Sequence, residues 1–482
     1  MHQSILLIIL MSLFLSSPAQ PPIELKIEPY TFENKKGKTV EAELGTFEVL
    51  ENRQRPEGKK LNIRFVRFKS TNPNPGAPIV YLAGGPGGSG VRTAQGSRFD
   101  LFMSMRSIAD VIAYDQRGTG LSDGMERYDG YWLAEPSEPL DAEKVAPQIK
   151  AAALQAAEFF QSKGHDLSGY NSNENADDLN DLRRALGVDK ISLWSISYGS
   201  HLALTTLKRH EPHIDRIILA GVEGYDHTVK HPQDQQELME TIDQLLKQNP
   251  KTATVYPDLL GEVQQLLDRV EKQPAMVKAR HPQTGEEIEV AIGKLDLQIH
   301  LAALLRGPSM FKSMPRLVRE MNQGDFSGIR HYALMTKYGN YRGMSMAMDM
   351  ASGISAERQH SLRQAATKTL LGDAINFPYL LEWEALQHLD LGPAFRASFS
   401  SAVPVLCISG TLDGRTPPNN AVETLRFLSN GHHLIIDGAG HSDPLFLSSP
   451  KIEEMMLAFM QGKPIEDQTI TLPPVEFELP KS

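Results

Sequence analysis

Three residues with the chemistry of acyl transfer lie far apart in the chain: Ser197 in "SISYGSHLAL", Asp413 in "CISGTLDGRTPP" and His441 in "LIIDGAGHSDP". A neutral serine hydroxyl is a poor nucleophile. An imidazole that takes its proton activates it, and a carboxylate fixes the imidazole tautomer and stabilises the imidazolium that forms. Ser197 has Ser195 and Gly199 two residues to either side, and small flanks are what a strained strand-to-helix turn needs to present a serine Oγ. Alone, S-x-S-x-G is a frequent accident. Here Asp413 and His441 each follow an apolar run, so loops at one edge of a sheet could bring the three together.

The segment "VYLAGGPGGSG", from Val80 to Gly90, has two chemical readings. Gly85, Gly87 and Gly90 fit the G-x-G-x-x-G spacing of a dinucleotide-binding turn, with Asp115 at the end of "VIAYD" as a ribose-binding acid. Alternatively, the glycines free a backbone N–H to meet a developing oxyanion. A dinucleotide turn needs a βαβ unit at the start of the domain, whereas alternating segments precede this loop and Pro86 interrupts it. The Lys-Ser/Thr ending of a nucleotide P-loop is also missing. The oxyanion reading is preferred, with the N–H groups of Gly85 and of Tyr198, the residue after the serine, as donors. No cofactor is expected. His432 and His433 have no partners at metal-ligand spacing, so no metal is expected either.

These loops need a scaffold. "IELKIEPYTF", "VEAELGTFEVLEN" and "LNIRFVRFKS" alternate apolar with polar residues and predict antiparallel strands. "PIVYLAG", "VIAYDQRG", "ISLWSIS", "RIILAGV", "VPVLCIS" and "HHLIIDGAGH" are apolar runs of the buried parallel type, with helical patterns such as "AEKVAPQIKAAALQAAEFF" between them. The pattern predicts an α/β fold with a mostly parallel, doubly wound sheet. Between Val222 and Val403 the strand rhythm stops, and Leu238, Ile242, Leu245 and Leu246, then Leu259, Val263, Leu266, Leu267 and Val270, mark amphipathic helices. The expected organisation is a core over 20–224 and 401–482 with a helical cap inserted over 225–400. Such a cap would sit above the carboxyl ends of the strands, where ligands bind.

The chain has 482 residues, 41% of them hydrophobic and 22% charged, with a net charge of −10 and a pI near 5.9. That balance, without a sustained Lys/Arg run, argues against nucleic acid as a partner and leaves soluble chemistry on small molecules or peptides. "ILLIILMSLFL" followed by "SSPAQ" reads as an export signal over residues 1–19, with Ser17 and Ala19 as cleavage-site residues. The apolar stretch is too short for a stable membrane span. The expected location is periplasmic or extracellular. The lone Cys407 lies in an apolar strand and allows no intrachain disulfide, so packing alone must hold the fold.

"LAGGPGGSG", "YDQRGTGLSD", "SYGSHLAL", "SGTLDGRTPP" and "GAGHS", in this order, resemble the α/β-hydrolase peptidases that include proline iminopeptidase and the secreted tripeptidyl aminopeptidases. The resemblance implies an α/β-hydrolase fold with antiparallel N-terminal strands, a Ser197–Asp413–His441 triad, Gly85 and Tyr198 as oxyanion donors, and a helical cap that reads the substrate's amino end. Two departures bear on the subfamily: Ala83, where proline iminopeptidases carry His, and Ser195, where the elbow usually has Gly. The family places "YDQRGTG" beside the floor of the site, so an Asp115–Arg117 pair is expected to brace the glycine loop. Among acids that could bind an amine, Glu223 near the start of the cap and Glu384 after Trp383 are the candidates. His201 is expected to pack a helix, and the methionines of "GMSMAMDMASG" to fill core.

The expected function is an exported serine aminopeptidase that releases N-terminal residues or short peptides from substrates with a free amino terminus, through an acyl-enzyme. Two alternatives stay open: a carboxylesterase with the same triad and no amine recognition, and a non-catalytic binding homologue in which Ser195 marks a relaxed elbow.

Overall fold

Strand alternation organises the start of the chain. In the computed structural model, which describes residues 23–281 and 284–480, β1 (Leu25–Glu33), β2 (Thr39–Leu50) and β3 (Lys60–Phe68) pair antiparallel. Leu61, Ile63 and Phe65 of β3 point alternately inward and are buried. The segment 1–19 read as an export signal lies outside the described residues.

The continuous apolar runs form β4 (Ile79–Leu82), β5 (Val111–Asp115), β7 (Ile191–Ser197), β8 (Ile214–Val222), β12 (Val405–Gly410) and β13 (Gly431–Asp437). β6 (Arg127–Trp132), β9 (Ala275–Arg280), β10 (Glu287–Ile292) and β11 (Tyr338–Arg342) lie outside the large sheet, and β14 (Gln468–Thr471) ends it. The ten-stranded order is β1-β2-β3-β5-β4-β7-β8-β12-β13-β14, with parallel pairing from β5 through β14. This is the mostly parallel sheet expected from the apolar runs, with the antiparallel N-terminal strands that the family resemblance implies. Successive side chains of β4 feed opposite cores: Val80 and Leu82 pack on one face of the sheet, Ile79 and Tyr81 on the other. Burial on both faces is why these strands read as unbroken apolar runs. β14, "QTIT", buries only Ile470 and has no such signature.

The stretch between β8 and β12 is mainly helical and has its own core, built from Leu238, Ile242 and Leu246 of helix Pro232–Gln248 and from Val263, Leu266 and Val270 of helix Leu259–Lys272. It also contains the β9–β10 hairpin, and it is not self-contained. β11 pairs with β6, which precedes β7 in the chain, and helix Ala142–Ser162 packs on helix Tyr379–Ala385.

The "YDQRG" loop ties the glycine segment to the sheet, by different contacts from those expected. Asp115 accepts from Ser89 Oγ at 2.6 Å, Leu121 N at 2.8 Å and Val91 N at 3.2 Å. Gln116 Nε2 donates to the Ala83 carbonyl at 3.0 Å. Arg117 does not pair with Asp115. It is fully buried against Asp178, with Nε and Nη2 donating at 2.7 and 2.8 Å, and it also donates to the carbonyls of Glu51 and Gly169. Asp115 therefore braces the glycine loop with Gln116 and without Arg117, which joins β2 to helix Ser172–Ala185. Replacing Arg117 by Met removes the bidentate donor and leaves buried carbonyls unmet. The variant should lose about 3 kcal/mol of stability, read as a lower urea midpoint with an unchanged slope.

Candidate active site

β7 ends at Ser197, whose φ of 55° and ψ of −129° fall in a region that non-glycine residues rarely occupy. Its neighbours hold it there. Ser200 Oγ donates to the Ser197 carbonyl at 2.6 Å. A Cβ on Gly199 would lie 2.2 Å from the Leu82 carbonyl oxygen, and one on Gly84 would lie 2.9 Å from Ser197 Cβ. Only glycine permits β4, the elbow and the glycine loop to approach this closely. Ser195, the departure from the family pattern, is fully buried, and its hydroxyl donates to the Ile218 carbonyl at 2.7 Å. Its polar atom is satisfied by the neighbouring strand, so the elbow is not relaxed there. Tyr198 opens helix Tyr198–His210, and a first-turn N–H has no acceptor within the helix.

Asp413, on the loop after β12, accepts from His441 Nδ1 at 2.8 Å through Oδ2. Its other oxygen accepts from Arg415 N at 2.8 Å and Thr416 N at 2.9 Å, and Thr416 Oγ1 donates to Oδ2 at 2.8 Å. Burial alone would raise the Asp413 pKa, but the His441 ring and these donors outweigh it and hold the carboxyl below its usual range. The loop bearing His441 is fastened on both sides. The His441 N–H donates to the Arg306 carbonyl at 2.9 Å, and Gly414 N donates to the Leu305 carbonyl at 3.0 Å, so one cap segment holds both loops. On the far side Ser442 sits at φ 82°. Arg98 donates to Ser442 Oγ at 3.2 Å, to Asp443 at 2.8 Å and to Tyr81 Oη at 2.6 Å.

Ser197 and Gly85 line two adjoining cavities. The larger, of about 610 Å³, also takes in Gly84–Gly88, His441, Arg306, Arg342 and Arg415. The smaller, of about 210 Å³, is lined by Glu223, Lys230, Asp349, Tyr379, Glu382 and Arg415, among others. In the smaller cavity Lys230 Nζ lies 2.6 Å from Glu223 Oε2 and donates to the His227 carbonyl at 3.0 Å. Burial opposes ionisation of Glu223, but Lys230 reverses the balance and holds the carboxyl below its usual range. Asp349 goes the other way: burial, then the charge on Glu223, push it well above the usual value. Burial raises Glu382 to about 7. Three carboxyl groups share a small space with too little positive charge to ionise them all, an arrangement that favours an entering cation.

The expected site residues thus separate. Ser197, His441 and Gly85 share a cavity, with Asp413 behind His441 and Tyr198 behind Ser197. Glu223 lines the smaller cavity. Glu384 lines neither; it pairs with Lys150 at 2.7 Å on helix Ala142–Ser162. Two residues on a helix differ by about 200°, so Glu382, not Glu384, turns toward Ser197. Asp349 and Arg415 are additions, within "GMSMAMDMASG" and "SGTLDGRTPP", segments in which other residues carried the expectation. Asp349 is carried by helix Gly343–Ser352, where Met344, Met346, Met348 and Met350 are all buried. His201 bridges the Gly224 carbonyl at 3.0 Å and Ser352 Oγ at 3.2 Å, fastening the chain beside Glu223. Among the described residues, no group of three or more His, Cys, Asp or Glu could hold a metal ion.

The profile of a family described as alpha/beta hydrolase fold matches residues 77–446. Among curated proteins, a tripeptidyl aminopeptidase of Streptomyces coelicolor is 29% identical over 178 residues, which is 35% of this chain and 32% of that protein. The serine protease Hip1 of Mycobacterium bovis is 26% identical over 173 residues, 35% and 33% of the two chains. The match spans about a third of the length of these relatives. Among solved structures, a proline iminopeptidase-related protein of Thermus thermophilus is 16% identical with a TM-score of 0.38, covering 90% of this chain and 98% of that one.

Fastening of the His441 loop to the cap rests on two glycines in contact. A Cβ on Gly440 would lie 2.4 Å from Gly307 Cα and 3.1 Å from the Arg306 carbonyl oxygen. Gly440→Ala should therefore lengthen the bond from His441 N to Arg306 O and cost about 1–3 kcal/mol through overpacking. Thermal unfolding measures the loss, and the rate at which a fluorophosphonate labels Ser197 should fall with it.

Proposed function

The chain belongs to the alpha/beta hydrolase fold family, and from that premise we propose that it is a serine aminopeptidase releasing N-terminal residues or short peptides through an acyl-enzyme. In this reading Ser197 Oγ attacks the scissile carbonyl while His441 takes its proton. The N–H groups of Gly85 and Tyr198 stabilise the tetrahedral oxyanion. His441 then gives the proton to the leaving amine, and a water activated by the same imidazole releases the acyl group. Asp413 holds the ring through Nδ1.

One observation carries the aminopeptidase reading over an esterase with the same residues: the acid-rich cavity that shares Ser197 and Gly85 with the glycine loop. A substrate ammonium entering there meets Glu223, Asp349 and Glu382. Ionisation of the latter two is opposed by burial and, at Asp349, by the neighbouring carboxylates; it is favoured once a cation arrives. The names of the relatives agree with a peptide substrate. Export is part of the same proposal and rests on the apolar segment within residues 1–19. No helix among the described residues is long and apolar enough to cross a membrane.

Ser197→Ala should abolish turnover and fluorophosphonate labelling while leaving thermal unfolding unchanged, and Asp413→Asn should lower kcat by orders of magnitude with little change in KM. Labelling of the Ser197 variant at the normal rate would remove it as nucleophile.

Acetylating the amino terminus of a good peptide substrate should lower kcat/KM at least about thirty-fold, because it removes the ammonium that the buried acids would pair with, an interaction of roughly 2–5 kcal/mol. The free-to-acetylated ratio should also depend on pH. Glu382 is protonated below about 7, so the ratio should rise as pH increases through that value and fall again where the substrate amine, with a pKa of about 8, loses its charge. Dividing by the acetylated substrate cancels any pH dependence common to both substrates. Glu382→Gln should flatten the lower limb. Equal cleavage of free and acetylated peptides would end the aminopeptidase reading.

A further inference from the structure

We infer that the larger cavity is a subsite for a carboxylate on the leaving fragment, so that the enzyme prefers peptides with a free C-terminus or an acidic side chain just beyond the scissile bond. This rests on the aminopeptidase reading for the direction in which the substrate lies. The amino end occupies the acid-lined cavity, Ser197 sits at the junction, and the leaving fragment must enter the other cavity.

The charge of that cavity carries the inference. Arg98, Arg306, Arg342 and Arg415 line it together with Ser197 and His441, and no Asp or Glu does. Arg98 is committed to Asp443, Tyr81 and Ser442. Among the described residues, the guanidinium groups of Arg306, Arg342 and Arg415 make no hydrogen bond or ion pair. In a chain of net charge −10, most arginines near acids are paired, as Arg53, Arg117 and Arg316 are. Arg306 and Arg342 are exposed and Arg415 is half-buried, so three guanidinium groups with no protein partner line the cavity beside Ser197. Arg415 is the most telling. It is only partly exposed, burial lowers its pKa, and its own backbone N–H is spent on Asp413 at 2.8 Å. Glu223, Asp413 and Asp349 act on its charge from nearby, yet none pairs with the guanidinium, whose fork a carboxylate matches.

The elements that carry these arginines fit such a role. Arg306 projects from the cap segment whose carbonyl accepts from His441 N, and Arg342 ends β11. Arg415 lies between the two cavities. The site as a whole is polarised, acids on the acyl side of Ser197 and arginines on the leaving side, which suits a short zwitterionic peptide more than the interior of a long chain.

The test is a ladder of tetra- to hexa-alanine peptides, each as free acid and as C-terminal amide, with cleavage positions assigned by mass spectrometry. At the length that brings the C-terminus closest to the scissile bond, the acid should exceed the amide in kcat/KM by at least about ten-fold. About 0.5 M salt should shrink that ratio. The double variant Arg306→Gln/Arg342→Gln should bring it to within about two-fold of unity, with fluorophosphonate labelling confirming an intact Ser197. Longer amidated peptides with Asp or Asn after the scissile bond separate an acidic side chain from a C-terminus as the source of the carboxylate. Equal rates in both comparisons overturn the inference, and continued cleavage of peptidyl arylamides would then show that the aminopeptidase reading survives. If no peptide is cleaved, 4-acetoxybenzoate against 4-acetoxybenzamide reads the same cavity. A benzoate preference lost in the double variant keeps the subsite, and no preference overturns it.

Discussion

The hydrogen bond from His441 N to the Arg306 carbonyl is the contact on which the site depends. Asp413 and His441 sit on separate loops at the ends of β12 and β13, and neither strand dictates where its loop goes. The cap segment Leu305–Gly307 decides it by accepting from Gly414 N and His441 N, while the absence of side chains at Gly307 and Gly440 lets the backbones meet. The cap is therefore part of the machinery that sets the imidazole, as well as a cover over it. Any movement that opened this face would have to break or carry along those bonds.

Strain and burial are balanced locally around this contact. Ser197 and Ser442 both occupy left-handed backbone conformations, one at the end of β7 and the other directly after His441. Each is held by a neighbour with no other freedom: Ser200 Oγ on the Ser197 carbonyl, and Arg98, itself buried, on Ser442 and Asp443. Such conformations persist only where surrounding contacts over-determine them. Ser200 also accepts from Glu223 N at 2.8 Å, so the elbow and the acid-lined cavity are one connected unit.

Electrostatics then divides the space in front of Ser197. Glu223, Asp349 and Glu382 stand on one side with a single lysine among them, and Arg306 and Arg342 on the other, with Arg415 between. Asp349 and Glu382 are kept from full ionisation by burial and, at Asp349, by repulsion, while Arg306 and Arg342 line a cavity that holds no acid. In the proposed reading, a substrate carrying both charges is oriented by this division before any side chain is read.

Much of this was legible in the sequence. Mainly apolar runs identify strands buried on both faces, because the residues facing either side of the sheet are mostly apolar. The spacing around Ser197, Asp413 and His441 marks loops that follow such strands. Ser195 reads as an anomaly in sequence and becomes ordinary once the Ile218 carbonyl is seen beside it. What the sequence could not reveal are pairings across long separations. β6 joins β11, Arg117 chooses Asp178 over Asp115, and β14 carries too little apolar surface to be noticed. The acids divide on the same ground. Glu382 and Glu384 are equivalent as letters, and helix phase sends one toward Ser197 and the other to Lys150. Local chemistry and periodicity are written residue by residue, whereas the identity of a partner depends on which surfaces the folded chain brings together.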